Sequence, residues 1–352
     1  MARELRIALD VMGGDHGPAT VIAGAEMARA RTPHIRYILF GREAEMAPCL
    51  DAYPKLRAAA RVMPVEQVVL ATDKPSQALR RSRESSMGQA IQAVKDGDAD
   101  VAVSAGNTGA LMAMARFILR TMPGIDRPAL VSLLPTARGE SVMLDLGANV
   151  DSTADNLVQF AVMGAVFART VLGLERPRVG LLNIGAEELK GTEEIKAAGQ
   201  ILRETTLPME FAGYTEGDRI GAGDMDVVVC DGFIGNVALK TAEGTARLIA
   251  ELLNRAFRSS PWSKLGYLLA RPALTSLRDH LDPNHHNGAV LLGLNGLVVK
   301  SHGSANAVGI ATAINTASDL ASDHILARIA DDMAQYPANM QSAAASAAAG
   351  DA

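Results

Sequence analysis

Residues 100–109 are Asp-Val-Ala-Val-Ser-Ala-Gly-Asn-Thr-Gly, and the pattern of this short stretch indicates the fold class. An apolar run of small and β-branched residues leads into a loop of glycine and small polar residues, and a helical pattern then continues to about Arg120. A continuous apolar run, without alternation of apolar and polar residues, is typical of a strand buried on both faces. The stretch therefore predicts one strand–loop–helix unit of a mostly parallel sheet.

The same unit occurs five more times along the chain. Each of the other apolar runs is followed by a loop of glycine and polar residues, and these runs are Leu5–Val11, Ser141–Leu146, Val179–Leu182, Asp226–Val229 and Gly296–Lys300. Strands that alternate with helices indicate an α/β fold with right-handed crossovers. Ligands of such sheets bind beyond the carboxyl ends of the strands, so we expect all six loops to meet in one site at one edge.

The composition of the 352 residues excludes several classes of protein. With 48% apolar and 21% charged residues, most of the chain is not disordered, and the net charge of −5 argues against general nucleic-acid binding. The two cysteines, Cys49 and Cys230, are far apart in sequence, which favours a reducing compartment over a disulfide framework. Neither a signal peptide nor an uncharged apolar run of about 18 residues is found, so we expect a cytoplasmic protein.

The loop after the first apolar run has the composition of an anion-binding loop. Gly13 and Gly14 let backbone N–H groups approach a ligand closely, and Pro18 suits the first turn of the following helix. The free N–H groups and the dipole of a helix N-terminus favour phosphate. We therefore predict that Gly13, Gly14, Asp15 and His16 bind phosphate. The alternative is a tight strand-to-helix turn without a ligand.

A second loop offers the same groups at a second helix start. Its two hydroxyls, one amide and backbone N–H groups belong to Ser104, Gly106, Asn107 and Thr108, which we also predict to bind phosphate. In isolation, the simpler role for Ser104 or Thr108 is to cap the helix. Two such loops at one sheet edge favour the anion site.

Two further loops carry candidate catalytic side chains at predicted strand ends. Asp231 follows a buried run, and Asn236 and Lys240 share one face of the next helix. Lys300 and His302 are two residues apart in extended chain and so lie on one side. We predict catalytic roles for Asp231, Asn236, Lys300 and His302: Lys300 would neutralise phosphate, and His302 would protonate a leaving sulfur or orient a nucleophile. For Asp231 the alternatives are a helix cap, with Lys240 as an exposed charge, or an ion pair with Lys240. For His302 the alternative is a local backbone hydrogen bond.

One more polar loop follows Val179–Leu182. There we predict that Asn183 and Lys190 bind phosphate, although Lys190 could simply pair with a neighbouring glutamate.

The adjacent histidines His285 and His286 cannot easily chelate one metal ion, and no cysteine or histidine spacing resembles a zinc site. We therefore expect neither a metal nor another cofactor.

Residues 245–283 form a basic helical segment that Pro261 and Pro272 divide. Its basic residues alternate with leucines and one tryptophan, a pattern that suits an anionic membrane surface and would also attract an acidic carrier protein. The alternative is a helical hairpin that packs in a dimer. The residues predicted to dock are Arg258, Trp262, Lys264, Leu268 and Arg271.

We assign residues 1–335 to one catalytic domain, from which residues 245–283 protrude, and residues 336–352 to a disordered tail.

Taken together and in order, the loop motifs resemble those of the bacterial phosphate acyltransferases of phospholipid synthesis. The resemblance covers about residues 4 to 333, and its motifs are Leu9-Asp-Val-Met-Gly-Gly-Asp-His-Gly-Pro18, Ser104-Ala-Gly-Asn-Thr-Gly-Ala110, Leu144-Asp-Leu-Gly-Ala-Asn149, Leu182-Asn-Ile-Gly-Ala-Glu-Glu188, Cys230-Asp-Gly-Phe-Ile-Gly-Asn236 and Lys300-Ser-His-Gly-Ser304. It implies a three-layer α/β/α fold related to phosphotransacetylases and isocitrate dehydrogenase-like enzymes, and a homodimer.

The resemblance also implies a reaction, in which an acyl carrier protein thioester and inorganic phosphate give acyl phosphate and free carrier protein. The product would then feed a membrane glycerol-3-phosphate acyltransferase, with which peripheral contact at the membrane is expected. Two other functions stay open. A dehydrogenase or other ligand enzyme of the same architecture would need a nucleotide site, and no Gly-x-Gly-x-x-Gly loop with a ribose-binding acid is present. A non-catalytic lipid or carrier-protein binding module would not need so many polar loops.

Overall fold

A computed structural model describes residues 4–282 and 284–335. The strands of this part of the chain form a single sheet. They are β1 (Leu5–Asp10), β2 (Ile35–Gly41), β3 (Ala60–Pro64), β4 (Val101–Ser104), β5 (Ala129–Thr136), β6 (Gly139–Leu144), β7 (Arg178–Leu182), β8 (Glu210–Thr215), β9 (Val227–Val229), β10 (Ala289–Leu292) and β11 (Leu297–Lys300). All six predicted strands are present within two residues of their expected bounds. The predicted disordered tail, 336–352, lies outside the described residues.

The helices cover both faces of this sheet. They are α1 (Gly17–Arg31), α2 (Glu43–Asp51), α3 (Pro54–Ala59), α4 (Pro75–Arg80), α5 (Ser86–Lys95), α6 (Thr108–Leu119), α7 (Ala154–Val171), α8 (Glu193–Glu204), α9 (Gly232–Arg258), α10 (Pro261–Leu281) and α11 (Ala307–Ser322). A 3-10 helix spans Gly217–Ala222, and the chain is again helical over residues 325–335.

The sheet is mostly parallel, as predicted, with the strand order β3-β2-β1-β4-β11-β10-β5-β6-β9-β7-β8. Strands β3, β2, β1, β4 and β11 are parallel to one another. Strand β10 is antiparallel to both of its neighbours, and β5 is antiparallel to β6. Strands β6, β9, β7 and β8 are again parallel to one another and therefore run opposite to β1.

This change of direction contradicts the expectation that all six loops meet at one edge. Strand β6 runs opposite to β5 in their hairpin, and β9, β7 and β8 continue in the direction of β6. The carboxyl ends of β6, β7 and β9 therefore lie at the edge opposite to those of β1, β4 and β11. Periodicity marks where a strand occurs but not which way it runs in the sheet. The loops therefore form two groups, one at each edge.

Two apolar clusters pack against the two faces and give the three-layer architecture. Because side chains alternate along a strand, Leu9 of β1 belongs to one cluster and Ala8 to the other. The first cluster includes Phe160 of α7 and Ile310 of α11, and the second includes Ile91 of α5. Each fully buried large side chain contributes roughly 1.5–3 kcal/mol to folding, which makes these layers a rigid support for the loops at the strand ends.

The hairpin of α9 and α10 stands away from the rest of the molecule. Among the described residues of α9, only Gly232 and Gly235 are buried, while Leu248 and Leu252 on one side of the helix are 55% and 50% exposed. The helix begins before the basic segment predicted at 245–283, and Pro272 lies inside α10 instead of dividing it. In the part of the chain that the structure describes, no helix is long and apolar enough to cross a bilayer.

Candidate active site

Three polar side chains lie side by side where β1, β4 and β11 end. The register pairs Ser104 with Asp10 on one side and with Lys300 on the other, and all three residues are buried. The Asp10 carboxylate accepts hydrogen bonds from Ser104 Oγ at 2.7 Å and Ser86 Oγ at 2.6 Å. Burial raises the pKa of Asp10, and these hydrogen bonds together with the Lys300 charge oppose that rise. The buried carboxyl group of Asp10 thus lies at the bottom of the site.

The glycine loops interlock above this acid. A Cβ atom at Gly13 would lie 2.7 Å from the amide nitrogen of Gly106 and 2.8 Å from Asp10 Oδ2, so a side chain at position 13 would force the loops apart. The loop after β1 also joins the loop after β11, since the Asp15 N–H donates to the Gly303 carbonyl at 2.8 Å. Glycine is therefore needed here for close packing of three loops, beyond its freedom of conformation.

Lys300 presents a buried ammonium group to the site. Its Nζ atom donates to the backbone carbonyls of Ala105, at 3.4 Å, and Ser301. Burial lowers the pKa of Lys300 to about 8, repulsion from Lys240 acts in the same direction, and the Asp15 and Asp10 carboxylates oppose both. Because carbonyl groups solvate the cation without neutralising it, an anion that entered the site would be strongly attracted.

The helix α9 brings charged residues to the loop after β11. Lys240 Nζ lies 3.3 Å from His302 Nε2 and forms an ion pair of 2.9 Å with Glu243, which in turn pairs with Arg247. Ser304 Oγ lies 2.9 Å from His302 Nδ1. Burial and the positive charge of Lys240 lower the pKa of His302, so the neutral imidazole is favoured.

A cavity of about 1630 Å³ opens from this cluster. Its polar end contains Gly106, Lys240, Lys300 and His302. The remainder is bounded by apolar side chains of β5, β6, α9 and α10, which include Leu134, Met143, Leu239, Ile249, Leu253, Phe257 and Leu277. A single space therefore joins a cationic, glycine-lined end to a long apolar wall.

The structure brings most of the predicted phosphate and catalytic residues to this cavity. Those that line it are Gly14, Asp15, Gly106, Asn107, Thr108, Asn236, Lys300 and His302. Asn236 reaches it from α9 and donates from Nδ2 to the Leu146 carbonyl at 3.2 Å. Gly13 and Ser104 lie buried behind the lining, and His16 is exposed at the start of α1. The roles predicted for all of these residues remain predictions.

Asn107, and neither Ser104 nor Thr108, caps α6. Its Oδ1 atom accepts from the Ala110 N–H at 3.0 Å, while Nδ2 donates to the carbonyls of Ala71 and Asp73 at 2.8 and 3.1 Å. Ser104 Oγ instead donates to Asp10 and accepts from the Gly106 N–H. The polar atoms of the Asn107 side chain are thus committed to the protein, and its contribution to a ligand site is to shape the loop.

Asp231, Asn183 and Lys190 lie at the opposite edge of the sheet, following β9 and β7. Asp231 caps α9, since its Oδ1 atom accepts from the Ile234 N–H at 2.8 Å. Asn183 Nδ2 donates to the Lys190 carbonyl at 3.1 Å, and Lys190 Nζ pairs with Glu187 at 2.9 Å. The structure does not bring these three residues to the cavity, because β7 and β9 run opposite to β1.

Sequence reasoning missed the buried acid and the acidic partner on α9. Asp10 is the last residue of β1 and lies one residue before the end of the first apolar run, and a charge at this point could have marked it as a site residue. Glu243 follows Lys240 by three residues on the same helix face, which is the spacing of a surface ion pair. Its place beside His302 depends on how α9 crosses the sheet, for which the sequence contains no signal.

Known proteins are similar to this chain over nearly its whole length. A family model described as "Fatty acid synthesis protein" matches residues 5–328. A phosphate acyltransferase of Parvibaculum lavamentivorans is 58% identical over 334 residues, which cover 95% of this chain and 92% of that protein. A phosphate acyltransferase of Rhodospirillum centenum is 56% identical over 346 residues, which cover 98% of each.

Solved structures with low sequence identity share the fold. The EutD phosphotransacetylase of Staphylococcus aureus superposes with a TM-score of 0.59 at 17% identity, covering 92% of this chain and 95% of its own. A phosphotransacetylase of Streptococcus pyogenes gives a TM-score of 0.58, also at 17% identity, and covers 92% and 94%. The predicted likeness of fold to phosphotransacetylases is confirmed.

Proposed function

Because this chain belongs to the fatty acid synthesis protein family and is a phosphate acyltransferase, we propose that it forms acyl phosphate from an acyl-[acyl carrier protein] thioester and inorganic phosphate. The observation that supports these substrates is the cavity that joins a cationic end to a long apolar wall. Phosphate suits the first part and an acyl group the second. The product, an acyl phosphate, would then serve the acylation of glycerol 3-phosphate.

Phosphate would bind where the glycine loops and Lys300 meet. The free N–H groups of the first turn of α6 and the amides of the Gly13 and Gly106 loops supply donors, and Lys300 supplies a buried positive charge. Lys240 of α9 closes the same end of the cavity beside His302. Holding phosphate in line with a bound thioester can lower the barrier by roughly 7–11 kcal/mol in favourable cases.

The reaction would then proceed by direct attack, without an acyl-enzyme intermediate. A phosphate oxygen forms a bond to the thioester carbonyl carbon, the carbonyl oxygen becomes an oxyanion near the α6 amides, and the C–S bond breaks as the oxyanion collapses. The Lys300 ammonium group at the same end of the cavity would donate a proton to the leaving thiolate. His302, being neutral, would orient the phosphate.

The test is a turnover assay with the purified full chain, acyl carrier protein loaded with an acyl group, and inorganic phosphate. We expect free thiol to appear only when phosphate is present, with an equal amount of acyl phosphate, and without an added metal or nucleotide. Carrier protein without an acyl group is the control. Absence of acyl phosphate would refute the proposed substrates, and loss of activity in a chelator with recovery by a divalent ion would refute the metal-free mechanism.

We further propose that the tip of the α9–α10 hairpin brings the enzyme to its carrier protein or to the membrane. The five residues predicted to dock all lie exposed on the hairpin, with Trp262 82% and Leu268 62% accessible; the other three are Arg258, Lys264 and Arg271. An apolar and basic tip of this kind suits an acidic partner or an anionic bilayer.

The homodimer also remains a prediction, which sedimentation of the native chain would test.

A further inference from the structure

The second half of β5 is incompletely covered by the part of the chain that the structure describes. Strand β5 lies inside the sheet, between β10 and β6, yet Leu133, Leu134 and Pro135 are only partly buried. Leu134 and Pro135 border the cavity together with Met143 of β6. An interior strand normally buries both faces, and apolar surface left to water costs about 25 cal/mol per Å². The floor of the cavity is therefore an apolar surface that a ligand could cover.

One apolar side of α9 faces this surface of β5 across the cavity. Ala242, Ala246, Ile249, Leu253 and Phe257 line the cavity and recur at spacings of three and four residues, so they lie on one side of the helix. Such a stripe usually packs on a core. Here it faces the cavity, and we call the space between this stripe, β5 and α10 the apolar channel.

The two ends of the apolar channel differ in chemistry. One end is the cluster of Lys240 and His302, where the charged groups and glycine loops meet. At the other end Phe257 and Tyr267 close the hairpin, with ring centroids 5.6 Å apart. From Lys240 to Phe257 the helix rises roughly 25 Å at 1.5 Å per residue. The channel is thus long and mostly apolar, with Lys240 and His302 at one end, although Asn254, Thr275 and Arg278 of the two helices also line the cavity.

We infer that the apolar channel holds the acyl chain of the thioester donor, with its carbonyl at the Lys300 end, and that Ile249 and Leu253 limit the length of the chain. This inference rests on the proposed function. A linear acyl chain matches these mostly apolar walls, because it has one polar reacting end and an apolar tail. Each methylene group that enters the channel leaves water, so a longer chain that still fits should bind more tightly.

Two substitutions at different depths test this inference with graded donors. Ile249→Trp narrows the apolar channel about 6 Å nearer to Lys240 than Leu253→Trp does, since each residue of a helix rises 1.5 Å. The matched controls are Leu248→Trp and Leu252→Trp, which add the same ring one residue away at exposed positions that do not line the cavity. The assay measures kcat/KM for acyl phosphate formation from short-, medium- and long-chain acyl carrier proteins.

We expect both channel variants to keep native turnover with the shortest donor and to lose activity with longer ones, Ile249→Trp at a shorter chain length than Leu253→Trp. The loss should be roughly fourfold for each methylene group that no longer fits. The controls should keep the native profile. Equal loss at every chain length, or unchanged profiles in both channel variants, would overturn the inference while leaving the proposed function standing. If the native chain forms no acyl phosphate from any donor, the proposed function itself fails.

Discussion

Lys300 shows how a single residue can be costly for folding and useful for binding. Its ammonium group is buried, and only backbone carbonyl oxygens accept its hydrogen bonds. A lysine in this setting is less stable as a cation than it is in water, which is why its pKa falls to about 8. The same incomplete solvation leaves it available to an anionic substrate. Burying this charge lowers the stability of the folded protein, and phosphate that binds beside Lys300 would relieve part of that cost.

Replacing Lys300 should therefore change both activity and the pH dependence of stability. The folded-state pKa lies below the usual 10.5, so between about pH 8 and 10.5 the unfolded chain binds more protons than the native state. Stability contributed by this group accordingly rises with pH across that window, by about 3 kcal/mol for this shift. In Lys300→Met this rise should be absent, and turnover should be strongly reduced at every pH.

Denaturant unfolding of the native protein and of Lys300→Met at several pH values measures the effect. Lys95→Met, at an exposed position on α5, is the control for removing a lysine from a surface. The free energy of unfolding of the native chain, minus that of Lys300→Met, should increase between pH 8 and 10.5. A difference that stays constant over this range would mean that Lys300 does not titrate there.

At the scale of helices and strands, the sequence predicted positions better than directions. All six runs singled out as strands are strands, because a buried parallel strand is marked by its own apolar residues. The strands that were missed include β5 and β10, which the sheet uses to connect two halves of opposite direction. Ala129–Thr136 contains a serine and a proline, and only pairing with β10 and β6 makes it a strand.

Because the sequence does not give strand direction, only some of the site residues could be predicted. Residues of the loops after β1, β4 and β11 were placed together correctly, because these strands are parallel neighbours. Asp231 and Asn183 were expected in the same site, and the reversal of β9 and β7 moves them to the other edge. The contribution of α9 to the cavity was missed beyond Asn236 and Lys240, since it depends on the angle at which a long helix leaves the sheet.

The cap of α6 leads to a prediction about a whole element. Asn107 both caps the helix and holds the carbonyls of Ala71 and Asp73, and Leu70 and Ala71 line the cavity. Asn107→Ala should thus cost about 3 kcal/mol, of which loss of the cap accounts for roughly 1 kcal/mol and loss of each of the two loop bonds for roughly 1 kcal/mol. Turnover should also fall, because the loop beside the cavity is released.

Two comparisons separate the cap from the loop. Asn107→Asp keeps the cap acceptor and removes the two N–H donors, so it should recover part of the stability but not the turnover. Asn306→Ala removes a similar cap, on α11, where Oδ1 accepts from the Gly309 N–H at 3.0 Å. That control should lose stability while keeping turnover. Normal turnover in Asn107→Asp would show that the contacts with residues 71 and 73 do not matter for the site.

At the scale of the whole molecule, charge is unevenly distributed. The chain has a net charge of −5, whereas the hairpin tip exposes Arg258, Lys264 and Arg271. Because an acidic body repels an acidic carrier protein, the projecting basic residues of the hairpin would favour its approach there. The apolar channel runs from that tip back to Lys240 and the glycine loops. A partner that docks at the tip would thus lie near the distal end of the space proposed for the acyl chain.

Reversing the charge of the tip should weaken this encounter without altering the chemistry. In Arg258→Glu, Lys264→Glu and Arg271→Glu combined, we expect a higher KM for acyl carrier protein at low salt, weaker binding to anionic vesicles, and an unchanged kcat. Salt should reduce the difference from the native protein, because the Debye length falls from roughly 30 Å at 0.01 M to 10 Å at 0.1 M ionic strength. Lys55→Glu, Arg61→Glu and Lys95→Glu combined change the total charge equally at exposed positions outside the hairpin. If this control weakens both interactions as much as the tip variant does, the net charge and not the tip governs docking. If neither variant affects KM or vesicle binding, the hairpin has no docking role.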